Sequence, residues 1–156
     1  MNEKVSKKIG EAYAFSVVLN NINEKTPKVL KELLGDLADN VNEVSNSQIS
    51  VLDEIIDEAG TTEIVKLKAD KTSKKINEMG DFYVGDDWDD SAEVLEWLSF
   101  FLGAAIIHWQ LISGSGKELS NDKLIEVSES GVKYFEGLLN ISKDAATKIG
   151  VDRAKN

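Results

Sequence analysis

Residues 91–113 read SAEVLEWLSFFLGAAIIHWQLIS, and no charged side chain occurs from Trp97 to Ile112. Sixteen helical residues rise only ~24 Å, short of the ~30 Å hydrocarbon core of a bilayer. The length therefore favours the central helix of a soluble bundle over a membrane span. On a helical wheel Glu96, Ser99, Gly103, Gln110 and Ser113 gather on one side, while Trp97, Phe101, Ala104, His108, Leu111 and Ile112 gather on the other. This predicts a small-residue face for close helix packing and a bulky face carrying the only histidine. Asp90, three residues before Glu93, supplies a capping-box-like start with aspartate in place of the usual hydroxyl.

Upstream, Thr26-Pro27 reads as an N-cap followed by proline at the first helical position, where its missing N–H is harmless. From there Leu30, Leu34, Leu37, Val41, Val44, Gln48, Val51 and Ile55 recur in steps of four and three, one stripe of a long helix ending at Gly60. Unbroken, that helix would be a rod of ~50 Å; Gly35 is its weak point. Before it, Val5, Ile9, Ala12, Tyr13, Phe15, Val18, Leu19 and Ile22 give a first helix a broad apolar face. After it, Val65, Ala69, Thr72, Ile76 and Met79 repeat the rhythm more faintly among lysines, predicting a peripheral third helix that stops at Gly80. Residues 80–91, with two glycines and five aspartates, read as a loop.

Downstream, Ser113 to Gly116 reads as a turn, and Ser120-Asn121-Asp122 as the start of a last helix ending at Gly150. Its stripe is Leu124, Gly131, Phe135, Leu138, Ala145 and Ile149. The expectation is an all-α, up-and-down bundle of about five helices, near 3–22, 27–59, 62–79, 91–113 and 121–149. It forms a single domain over 1–156, with a frayed tail at 150–156.

Composition narrows the function classes. The chain contains no cysteine, so disulfides, thiol catalysis and Cys-type metal sites are excluded. No early apolar run resembles a cleaved leader, and a cytoplasmic location is expected. A formal net charge of −10 repels phosphate backbones, so neither nucleic acid nor a membrane is an expected partner. No cofactor is expected.

His108 lies on an apolar face without a second histidine to share a metal, so it reads as a buried polar group seeking a partner. Two further residues, Glu11 and Gln48, also interrupt apolar stripes. A charge-assisted pair between Glu11 and His108 is one expectation, and a register-fixing role for Gln48 is another. A ferritin-like di-iron bundle needs two Glu-x-x-His pairs; Ala105 occupies the place of the Glu before His108. Carboxylates at helical spacing, Glu54 with Asp57 and Glu93 with Glu96, are the candidates for a Mg²⁺ site of the kind found in all-α nucleotide pyrophosphohydrolases. Neither the calcium-loop nor the phosphate-loop pattern is present: Leu98 stands at the bidentate position of the first, and Leu111 and Glu118 break the second.

The function that follows is a non-enzymatic interaction or regulatory bundle, acting on a protein partner or through self-association. Phe82, Tyr83 and Trp88 in the acidic loop are the candidate partner-facing residues. The alternative is a metal- or nucleotide-binding bundle.

Overall fold

The computed structural model of the protein describes residues 1–155, and among these no strand occurs. The elements are α1 (Glu3–Lys25), α2 (Pro27–Leu34), a 3₁₀ segment (Gly35–Asn40), α3 (Val41–Glu58), α4 (Thr62–Val84), α5 (Ser91–Glu118) and α6 (Asp122–Lys155). Because α2 and α3 are two halves of one broken arm, the described residues form an all-α bundle of five arms, as the periodicity predicts.

The break falls at Gly35, whose φ of 57° is in the left-handed region that suits a residue without Cβ. Its N–H closes α2 onto the Lys31 carbonyl. The six residues from Gly35 to Asn40 turn at three per turn instead of 3.6, so the side-chain register rotates. Leu37, expected in the buried stripe, is consequently exposed, whereas Leu30, Leu34, Val41, Gln48 and Ile55 stay buried.

Four other expected boundaries move, two of them because a glycine inside a helix serves packing as readily as termination. Gly80 does not stop α4: a Cβ there would lie 2.9 Å from the Trp97 indole nitrogen, so its bareness admits that ring. The helix runs on to Val84, and the loop shrinks to Gly85–Asp90. Likewise Ser113 to Gly116 is helical and not a turn, with Gly116 packed against Ile125. Helix α1 extends through the polar residues Asn20 to Lys25, and α6 continues past Gly150 to Lys155.

The expected caps divide. Asp90 accepts from the Ala92 and Glu93 N–H groups, and Asn121 accepts from that of Leu124, as a helix start requires. Thr26 does not cap α2 with its side chain. Its hydroxyl donates instead to the Trp88 carbonyl at 2.8 Å, pinning the α4–α5 loop to the α1–α2 corner.

Helix α1 is the hub, packing on α2, α3, α4 and α5, while α5 and α6 form a hairpin through three connecting residues. Helix α4, expected at the periphery, lies closely along α1: a Cβ on Gly10 would come 2.7 Å from the Val65 carbonyl oxygen. The core of α5 is Val94, Leu98, Phe101, Leu102, Ala105, Trp109 and Ile112, set every three or four residues. By length and composition alone α5 would also cross a membrane, the only such helix among the described residues; 44% of its apolar window is buried.

Candidate functional site

The most apolar helix of the molecule is only half covered. Helices α4 and α5 both pack on α1 but touch each other sparingly, leaving an open groove of about 290 Å³ between them. Phe15 of α1 and Phe101 of α5 line its inner part, their rings 5.3 Å apart. One wall is Lys68, Thr72, Lys75, Ile76 and Met79 of α4; the other is Trp97, Phe100, Ala104 and His108 of α5. Past Met79 and Phe100 the groove widens into a shallow apolar cleft of about 500 Å³ that reaches Phe82 and Tyr83.

The α5 rim is where sequence and structure part most clearly. Phe100 and Ile107 are each 60% exposed and Leu111 is 48% exposed. With Ala104 between them they occupy one stripe at 0, 4, 7 and 11 residues. The wheel assigns Ala104 and Leu111 to the packed bulky side, yet both are exposed; Ser113, assigned to the polar side, is fully buried. Gly103 approaches no neighbour. The tightest contact on α5 comes from α6 instead, where a Cβ on Gly131 would stand 2.6 Å from the Trp109 ring. Apolar residues cover so much of the α5 wheel that composition cannot single out the half that packs.

At the inner end of the groove Glu11 and His108 meet, with Oε2 and Nδ1 3.2 Å apart. Glu11 also accepts from Lys8 at 2.7 Å and pairs with Lys68 at 3.0 Å. Desolvation works against the Glu11 charge, but the hydrogen bonds and positive charges of Lys8 and Lys68 together outweigh it and hold the carboxyl below its usual range. Burial pushes His108 below the usual imidazole value; the Glu11 charge opposes this, and the charges of Lys8 and Lys68 reinforce it. His108 is thus the neutral member of a cluster whose negative charge two lysines already neutralise.

Gln48 is not part of that cluster. Glu11 and Ser16 point about 140° apart around α1, and Gln48 accepts from the Ser16 hydroxyl at 2.7 Å on the α3 side. It lines a separate groove of about 570 Å³ between α3 and α6, together with Glu43, Glu54, Lys123 and Glu126.

The aromatic trio is split. Phe82 is 93% exposed on the last turn of α4. Tyr83 stacks edge-on with Phe100, ring centroids 5.5 Å apart, and its hydroxyl donates to Glu96 at 2.9 Å. Trp88, the one member left in the loop, is half-buried under the Lys25 ammonium, 4.3 Å from the ring.

The paired carboxylates stand on different helices. On α3, Glu54 faces Lys123, and Asp57 accepts from the Thr62 hydroxyl. On α5, Glu96 is engaged by Tyr83, with Glu93 one turn before it. Among the described residues no three His, Asp or Glu side chains converge in a geometry suited to a metal ion.

Compared with known proteins, the chain matches no family model, no curated protein and no solved structure.

Proposed function

We propose that the protein is a non-enzymatic interaction module that takes an amphipathic helix of a partner protein into the α4–α5 groove. The observation that carries this reading is the exposed apolar stripe Phe100, Ala104, Ile107 and Leu111 beside an aromatic-lined groove. The stripe offers a continuous apolar surface to the i, i+3, i+4, i+7 face of an amphipathic helix laid against it. Covering the exposed parts of three large apolar side chains is worth on the order of 1 kcal/mol each. Exposed contiguous apolar surface of this kind marks interaction sites in soluble domains. The concave shape favours a helix over a bilayer, whose flat surface does not enter a groove.

The test is binding of a labelled helical peptide of about 16 residues, roughly 24 Å long, with leucines at i, i+4, i+7 and i+11, followed by fluorescence anisotropy. Ala104→Arg and Ile107→Ser should each weaken binding at least about tenfold, a cost of ~1.4 kcal/mol, while the circular dichroism stays unchanged. Both positions are exposed, so the fold does not depend on them. Wild-type affinity in both variants overturns the reading. So does a concentration-dependent dimer of the protein that the same substitutions abolish, since a second copy would then be the occupant.

A further inference from the structure

The groove has two unlike rims. The α5 rim is uncharged, but α4 carries five lysines between residues 66 and 75 against the single Asp70, in a chain of net charge −10. Three of those lysines are engaged: Lys66 with Asp53, Lys68 with Glu11, and Lys74 loosely with Glu78. Lys71 and Lys75 are exposed and make no ion pair among the described residues. They stand one helical turn apart, about 6 Å along the axis, and Lys75 lines both the groove and the apolar cleft beyond it. Lys71 and Lys75, beside the α4–α5 groove and on the same stretch of α4 as Lys66, Lys68 and Lys74, make that stretch locally basic in a molecule of opposite net charge.

Resting on the docking reading above, we infer that the partner helix is edged with acid: it carries carboxylates one turn apart along one side of its apolar face, and these meet Lys71 and Lys75 while the apolar face covers Phe100 and Ile107. Charge complementarity of this kind sets orientation and discriminates between partners more than it adds affinity. The lysine row lies on one side only, so it also fixes which edge of the incoming helix faces α4. A second copy of this chain does not fit the description. Outside α4 and α5 its exposed large apolar residues, such as Leu37, Leu119 and Ile141, are scattered, and the α4 wall of its own groove presents Lys68 and Lys75, which would repel the same lysines of another copy. An anionic membrane is disfavoured by the concavity of the groove and by the negative charge of the rest of the molecule.

Three versions of the helical peptide separate the two levels of the argument: the same leucine stripe with Glu, Gln or Lys at two positions one turn apart on one edge. The Glu peptide should bind about five- to tenfold tighter than the Lys peptide, the scale of two exposed ion pairs replaced by two repulsions. The preference should shrink in 0.5 M salt and vanish in the Lys71→Gln/Lys75→Gln double variant, whose exposed sites leave the fold intact. If the Gln peptide fails to bind at all, the docking reading itself fails. If all three bind equally, docking stands and the acidic-edged partner is overturned. Vesicles of phosphatidylserine and phosphatidylcholine are the remaining arm: sedimentation of the protein with them, lost in the double variant, would overturn the inference by giving the lysines to a lipid surface.

Discussion

A single histidine on an apolar helix is the natural place for sequence reasoning to look for chemistry, and its environment here argues for a structural part. His108 is half-buried and 3.2 Å from a carboxylate already held by two lysines. Its folded-state proton affinity lies below the unfolded value of about 6.5, so the unfolded chain binds more protons just below that pH. Stability from the neutral imidazole is complete above pH ~6.5 and is lost as pH falls through the lowered folded-state value. Glu11, also shifted down, adds a second loss, which begins below about pH 4.3. Thermal unfolding from pH 7.5 to 5 should therefore show a decline that His108→Gln removes. The pairing is read directly by nuclear magnetic resonance titration of the ring. Glu11→Gln deletes the one negative charge that raises His108 and leaves both lysines in place, so the imidazole should titrate at still lower pH. An unchanged titration would show that the two side chains do not interact in solution.

At the scale of elements, glycines decide where arms bend and where they touch, and they do so by two separate mechanisms. Gly35 adopts φ 57° and ψ −135° with open space around it, so Gly35→Ala meets no obstacle yet strains the backbone. Gly131 has ordinary helical geometry but faces the fully buried Trp109, so Gly131→Ala creates a clash and no strain. Each change should destabilise by about 1–3 kcal/mol. At this chain length each kcal/mol lowers Tm by roughly 2–4 °C. Shortening the indole partner should then separate the two cases: Trp109→Phe should relieve part of the Gly131→Ala penalty and none of the Gly35→Ala penalty. Equal behaviour of the two in that double-mutant comparison would contradict the assigned mechanisms.

Across the whole molecule, α1 contacts four other helices and its buried side chains belong to the same continuous core as those of α5 and α6. That continuity argues for one cooperative unit, and chemical denaturation followed by Trp fluorescence and by circular dichroism should give a single coincident transition. Two separated transitions would mean that the bundle divides into independently folding parts. The surface is divided where the core is not. An apolar groove edged by lysine lies between α4 and α5, and an acid-lined one containing Gln48 lies between α3 and α6. Both follow from arms that pack more closely on the rest of the bundle than on each other.

The all-helical bundle was legible in the sequence because each arm repeats its apolar residues every three or four positions, and that period is a local property of the chain. The starts of α5 and α6 were legible for the same reason, since Asp90 and Asn121 cap groups only two or three residues away. The encounter of Glu11 with His108 could be anticipated as two polar residues on apolar faces. The extent of the helices at Gly80 and Gly116 was not legible, because a glycine that ends a helix and one that admits a neighbouring side chain are the same letter. Nor was the groove. Phe100, Ile107 and Leu111 differ in no local way from Phe101, Trp109 and Ile112; one set is covered and the other open only because α6 and α1 occupy one side of α5 while α4 stands away from the other. Burial is a relation between elements far apart in sequence, and only the packed molecule decides it.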